Sequence, residues 1–92
     1  MYFFEVKLAW LEEPPQVVTA KIGERLIVPC SARGNPSPTI EWVKLGANNE
    51  FQGSKLQFYS IQQSDSGQYK CIASNKLDAD LTKQISIEVL GK

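Results

Sequence analysis

The side chains that most often carry chemistry in proteins are sparse in this sequence. Histidine is absent, the cysteines are two, Cys30 and Cys71, and no glycine-rich stretch matches the loops that cradle phosphates. Acyl transfer, zinc chemistry and nucleotide chemistry therefore lack their usual parts. Asp65 beside Ser66 could be imagined as an acid next to a nucleophile, but no base of suitable pKa accompanies them. The better reading of Asp65 is a corner carboxylate that bonds local backbone. Asp78 and Asp80 offer two carboxylates, where calcium takes about six to eight oxygens, so they read as a solvated turn and not as a metal site. Sugar attachment looks blocked as well. Asn35-Pro36-Ser37 carries proline at the forbidden middle position, and neither Asn48, Asn49 nor Asn75 has Ser or Thr two places on. Binding, with no cofactor and no metal, is the activity that remains.

The elements that would position a binding surface are organised around Asp65-Ser66-Gly67-Gln68-Tyr69-Lys70-Cys71. Gly67 allows a sharp corner that a Cβ would resist, and alternation then places Tyr69 and Cys71 on one face of an extended strand. A buried tyrosine must find a partner for its hydroxyl. Two residues before a cysteine, just after a corner, is where the tyrosine corner of immunoglobulin-like sandwiches sits. Upstream, Cys30 and then Trp42 complete the Cys, Trp, Cys order of such a domain.

Here the chain resembles the intermediate (I-set) immunoglobulin domain. The resemblance is carried by Gly34-Asn35-Pro36-Ser37-Pro38-Thr39-Ile40-Glu41-Trp42 and, at the family's spacing, by Leu56, Phe58, Ile61, Asp65, Gly67, Tyr69, Cys71, Ala73 and Asn75. It departs at Asp78, where the family usually has glycine. The resemblance implies an all-β, two-sheet antiparallel sandwich with a Cys30 to Cys71 bridge between the sheets and Trp42, Tyr69, Asp65 and Gly67 as structural residues. Such a bridge would stabilise by roughly 4 kcal/mol in the chain-entropy treatment. It also implies an extracellular module, at a cell surface or secreted, belonging to a receptor or adhesion protein. The other reading is an intracellular structural spacer like those of muscle filament proteins, with both thiols reduced.

Composition agrees with one small domain: 92 residues, 42% hydrophobic, leave no room for a separate catalytic lobe. Ten basic and ten acidic residues cancel with no run of either sign, so neither nucleic acid nor a polybasic membrane contact is indicated. No apolar run reaches the length of a membrane helix, and Glu5 and Lys7 interrupt the start before a leader can form. The chain reads as a fragment, with any leader, anchor or neighbouring domain outside it.

In chain order, residues 8–91 are expected to form the domain and residues 1–7 a leading linker or the tail of a preceding domain. The I-set resemblance, counted back from Gly23, implies strands over 9–13 and 16–22, separated by Pro14-Pro15, which let the chain leave one sheet and join the other. A third covers 25–32 with Leu26, Val28, Cys30 and Ala32 inward, and Pro29 predicts a gap in its ladder. Residues 39–45 form the next, with Ile40 and Trp42 inward, and 46–53 read as a turn. Further strands follow over 55–61, over 68–74 after a corner at 62–67, and over 81–90, the last with Ile85, Ile87 and Val89 inward. Asn75 is expected to bond nearby backbone and tolerate a left-handed conformation in the 75–80 turn.

Alternation also names the outward positions. Glu41, Val43 and Leu45 on one strand, Gln68, Lys70, Ile72 and Ser74 on the next, and Gln84, Ser86 and Glu88 on the last share a face. Val43 and Ile72 would make an apolar centre with Glu41, Lys70 and Leu45 about it, which is the anatomy of a protein-recognition surface. Leu77 in the 75–80 turn and the N-terminal Tyr2, Phe3 and Phe4 are rival contacts. The expected partners are another protein, be it ligand, receptor or a second copy, and neighbouring domains of the same chain.

Overall fold

Alternating apolar residues become nine strands in the computed structural model, which describes residues 6–46 and 48–91. They are β1 (Ala9–Glu12), β2 (Val17–Lys21), β3 (Leu26–Val28), β4 (Ser31–Arg33), β5 (Thr39–Lys44), β6 (Glu50–Gly53), β7 (Leu56–Phe58), β8 (Gly67–Ser74) and β9 (Leu81–Leu90). A 3-10 turn, Gln63–Asp65, precedes β8. The contacts expected at Tyr2, Phe3 and Phe4 lie outside the described residues.

One layer is a five-stranded sheet in the order β2-β9-β8-β5-β6. All its ladders are antiparallel except β2–β9, where Val17 to Lys21 run parallel to Ser86 to Leu90. The facing layer consists of the pairs β1–β4 and β3–β7. Pro14-Pro15 lie between β1 and β2, so the chain moves from one layer to the other where two consecutive residues lack an amide donor.

Pro29 acts more strongly than expected. The strand predicted over 25–32 is cut into β3 and β4, and the chain changes partner at the cut: β3 pairs with β7, β4 with β1. A proline contributes no donor to either ladder, so each ends beside it. Residues 46–53 also differ from the reading as a turn, because β6 pairs with β5 through Val43↔Phe51 and Lys44↔Glu50. Asn49, at φ 44°, reverses the chain and accepts the Gly46 amide through its side chain. The strand that follows is a short edge strand with an exposed Phe51, so it leaves no burial pattern to read. Strand 55–61 contracts to Leu56–Phe58, although Ile61 is still fully buried.

Between the layers lie Val28, Trp42, Leu56, Ile61, Tyr69, Cys71, Ile85, Ile87 and Val89, all at most 7% exposed. Leu26, Ile40, Phe58 and Trp10 pack around them. This burial is the main favourable term in holding two twisted sheets face to face.

Candidate functional site

The outer face of the five-stranded sheet can present a fixed surface because its inner face is pinned. Cys30, in the gap between β3 and β4, is bridged to Cys71 on β8, and Trp42 sits directly opposite Cys71 in the β5–β8 register. At one end of the core the Tyr69 hydroxyl donates to the Asp65 carbonyl at 2.6 Å, four residues upstream, while the Asp65 carboxylate accepts the Gln62 amide at 2.8 Å. The phenol is pushed up to about 12 by burial first, then by the negative charges of Asp65 and Glu50. Lys44, opposite Tyr69 in the ladder, places its Nζ 5.7 Å from the ring centroid and donates to the Ser64 carbonyl at 2.7 Å. Sequence reading missed Lys44. Its inward parity, two places after Trp42, is visible in the alternation, but a lysine there covers the end of the core with its stem and carries its charge to the rim.

Register sets which outward side chains meet. Directly opposed residues of an antiparallel pair share a face, so Phe51, Val43, Lys70 and Gln84 form one row across β6, β5, β8 and β9. Glu41, Ile72 and Thr82 form the next row across β5, β8 and β9. On the far side of the first, the Leu45 amide donates to the Gln68 carbonyl, and Gln68 faces Ser86, which faces Val17. Glu41, Val43, Leu45, Lys70 and Ile72 are therefore brought onto one surface. Leu77, 65% exposed, is not; it projects from the turn between β8 and β9. Sequence reading missed Phe51, 65% exposed beside Val43, and Val17, 52% exposed at the β2 edge. Neither had a signal, since each needed a ladder partner that alternation within one strand does not reveal. A depression of about 380 Å³ on this face is lined by Glu41, Phe51, Ile72, Ser74, Lys76 and Asp80, among others.

The opposite layer holds a cavity of about 430 Å³, opened where Pro29 interrupts the ladders and lined by Ile27, Val28, Cys30, Trp42 and Lys55 among others. Glu12, Ser54 and Gln57 also line it, and it shows the half-buried Cys30 to solvent. No cluster of His, Cys, Asp or Glu among the described residues could hold a metal ion.

The end of the sandwich is tied by the turn between β8 and β9. The Asn75 carboxamide oxygen accepts the Leu77 and Asp78 amides, and its nitrogen donates to the Pro36 carbonyl and to Asp78 Oδ2. Asp78 Oδ2 also accepts the Leu8 amide at 3.3 Å, and the Asn35 amide donates to the Val6 carbonyl at 2.8 Å. Asn75 bonds the backbone, but the left-handed residue is Lys76, at φ 64°. The glycine usual at position 78 is dispensable because the turn takes its positive φ two residues earlier.

These features define an immunoglobulin-type sandwich whose one pinned sheet offers an outer face for contact. The chain belongs to the immunoglobulin domain family, whose model matches residues 11–75. It is 31% identical over 88 residues to protein turtle homolog A of Mus musculus, covering 90% of this chain and 7% of that protein. Among solved structures it is similar to the N-terminal eight immunoglobulin domains of Down Syndrome Cell Adhesion Molecule, with TM-score 0.83, 26% identity, and 95% of this chain against 13% of that one. It is also similar to a chain in the complex of Dpr2 Ig1-Ig2 with DIP-Theta Ig1-Ig3, with TM-score 0.75, 27% identity, and 92% of this chain against 32% of that one. The chain spans under a tenth of the curated relatives it matches. It is thus an immunoglobulin domain, similar to one in a cell adhesion molecule. No helix among the described residues is long and apolar enough to cross a membrane.

Proposed function

We propose that this domain is a non-catalytic, extracellular protein-recognition module of a cell-surface receptor or cell-adhesion protein, and that it binds through the outer face of β6, β5, β8 and β9. The observation that carries the reading is the apolar group of Phe51 and Val43, directly opposed across β6 and β5, with Ile72 on the diagonal across β5 and β8, and with Glu41, Lys70, Gln84 and Thr82 as their polar neighbours. An apolar centre inside a polar rim is how recognition surfaces are built. Similarity to an adhesion molecule and to a domain crystallised in a protein complex supports a protein ligand. The bridge between Cys30 and Cys71 supports an oxidising compartment. Residues 8–91 are the folded unit of this proposal.

Val43→Glu and Ile72→Glu test the face. Each places a charge in the apolar centre without touching the core, so binding of a multivalent form of the chain to partner-bearing cells should fall by about tenfold or more while the unfolding midpoint holds. If both variants stay folded and bind as the parent does, the recognition surface lies elsewhere. Mass measurement with alkylation, before and after reduction, on protein from its native compartment should show the bridge. Two free thiols there would point instead to an intracellular spacer.

A further inference from the structure

Glu41 and Lys70 stand on the recognition face without an ion pair or side-chain hydrogen bond among the described residues, whose one salt bridge joins Lys83 to Glu13. Their positions are set by the ladder: Glu41 opposes Ile72, and Lys70 opposes Val43. With strands about 4.8 Å apart and alternate residues about 6.8 Å apart, the four side chains mark a rectangle. Glu41 and Lys70 lie across one diagonal, Val43 and Ile72 across the other. A two-fold axis lying in the contact plane, at right angles to the Glu41–Lys70 diagonal, exchanges Glu41 with Lys70 of a facing copy. The same axis runs close to the line from Phe51 through Val43 to Ile72, so each of these apolar groups meets its own counterpart. The surface is complementary to itself, as an isologous contact requires.

We propose that the partner received by this face is a second copy of this chain, docked face to face about that axis with two reciprocal Glu41–Lys70 pairs flanking an apolar seam of Phe51, Val43 and Ile72. The proposal rests on the recognition reading above and names its ligand. Formal net charge is zero, so two copies approach without long-range repulsion. A sheet of five strands, each about six residues long, covers on the order of 500 Å² in projection, below the roughly 800 Å² per partner of a stable complex. The dimer is therefore weak, with Kd of order 0.1–1 mM, as suits contacts that act in number between surfaces.

Sedimentation equilibrium from about 10 μM to about 2 mM tests it. The parent should dimerise in this range, and less as salt rises from about 0.15 to 1 M. Glu41→Lys alone sets Lys against Lys and Lys70→Glu alone sets Glu against Glu, so each should lower association by about tenfold or more. An equimolar mixture of the two single variants should associate again, because every facing pair is then opposite in sign, and so should the double variant. The rescue shows that both single variants are folded. A parent that stays monomeric throughout, charge reversals without effect, or a mixture that fails to recover would each overturn the proposal. If the parent is monomeric while Val43→Glu abolishes binding to partner-bearing cells, the ligand is a different protein and the recognition reading stands without this one.

Discussion

Tyr69 shows how one residue supports a surface that it does not touch. Its ring is 1% exposed, stacked edge-on to Phe58, and its hydroxyl reaches the Asp65 carbonyl. Tyr69→Phe keeps the ring and strands that acceptor, so chemical unfolding should show a loss of about 0.5–1.5 kcal/mol. The pH dependence follows from the raised phenol. Free tyrosine ionises near 10 and Tyr69 at about 12, so the folded state holds its proton after the unfolded chain has released one. Its contribution is complete below about pH 10 and is lost as pH rises towards 12. Unfolding series between pH 9 and 12 should show that decline in the parent and a flatter profile in Tyr69→Phe. Equal slopes would mean the phenol is not the group responsible.

At the scale of elements, the corner into β8 and the cut at Pro29 do most to shape the sheets. Gly67 starts β8 at φ +146°, and a Cβ there would meet Lys44 Cε at an ordinary 3.6 Å. Conformation and not space therefore demands glycine. Gly67→Ala should cost about 1–3 kcal/mol, whereas Gly46→Ala, with no positive φ and open space, should change stability by less than about 0.5 kcal/mol. Comparable unfolding midpoints for the two variants would refute the conformational account. The corner is further held by Gln63, whose side chain donates to the Val89 and Gly91 carbonyls, so a corner distorted by Gly67→Ala would loosen β9 as well.

For the whole molecule, the bridge ties the continuous five-stranded sheet to a facing layer whose ladders are interrupted at Pro29. Replacing Cys30 and Cys71 together with Ala should lower stability by about 2–5 kcal/mol, a large share for a domain of this size, with thermal unfolding as the measure. A shift smaller than about 1 kcal/mol would mean that burial around Trp42 and Tyr69 suffices alone. Self-association tracks the same integrity, because both rows of the contact face lie on strands whose inner residues, Trp42 and Cys71, stand against the bridge.

Local sequence determined the parts whose physics is local. Period-two alternation marked β5, β8 and β9 and their inward residues, since a strand buried on one face must alternate. The Asp65 to Cys71 stretch named its corner because glycine, tyrosine and cysteine at that spacing satisfy a turn, a buried hydroxyl and a bridge together. The outward parity of Glu41, Val43, Lys70 and Ile72 was legible for the same reason. What stands opposite what was not. The placement of Phe51 beside Val43, the parallel pairing of β2 with β9, the change of partner at Pro29 and the diagonal of Glu41 and Lys70 are all matters of register between segments distant in the chain. A ladder's register depends on the summed burial of both layers and on the turns that close them, so only the assembled sandwich decides it.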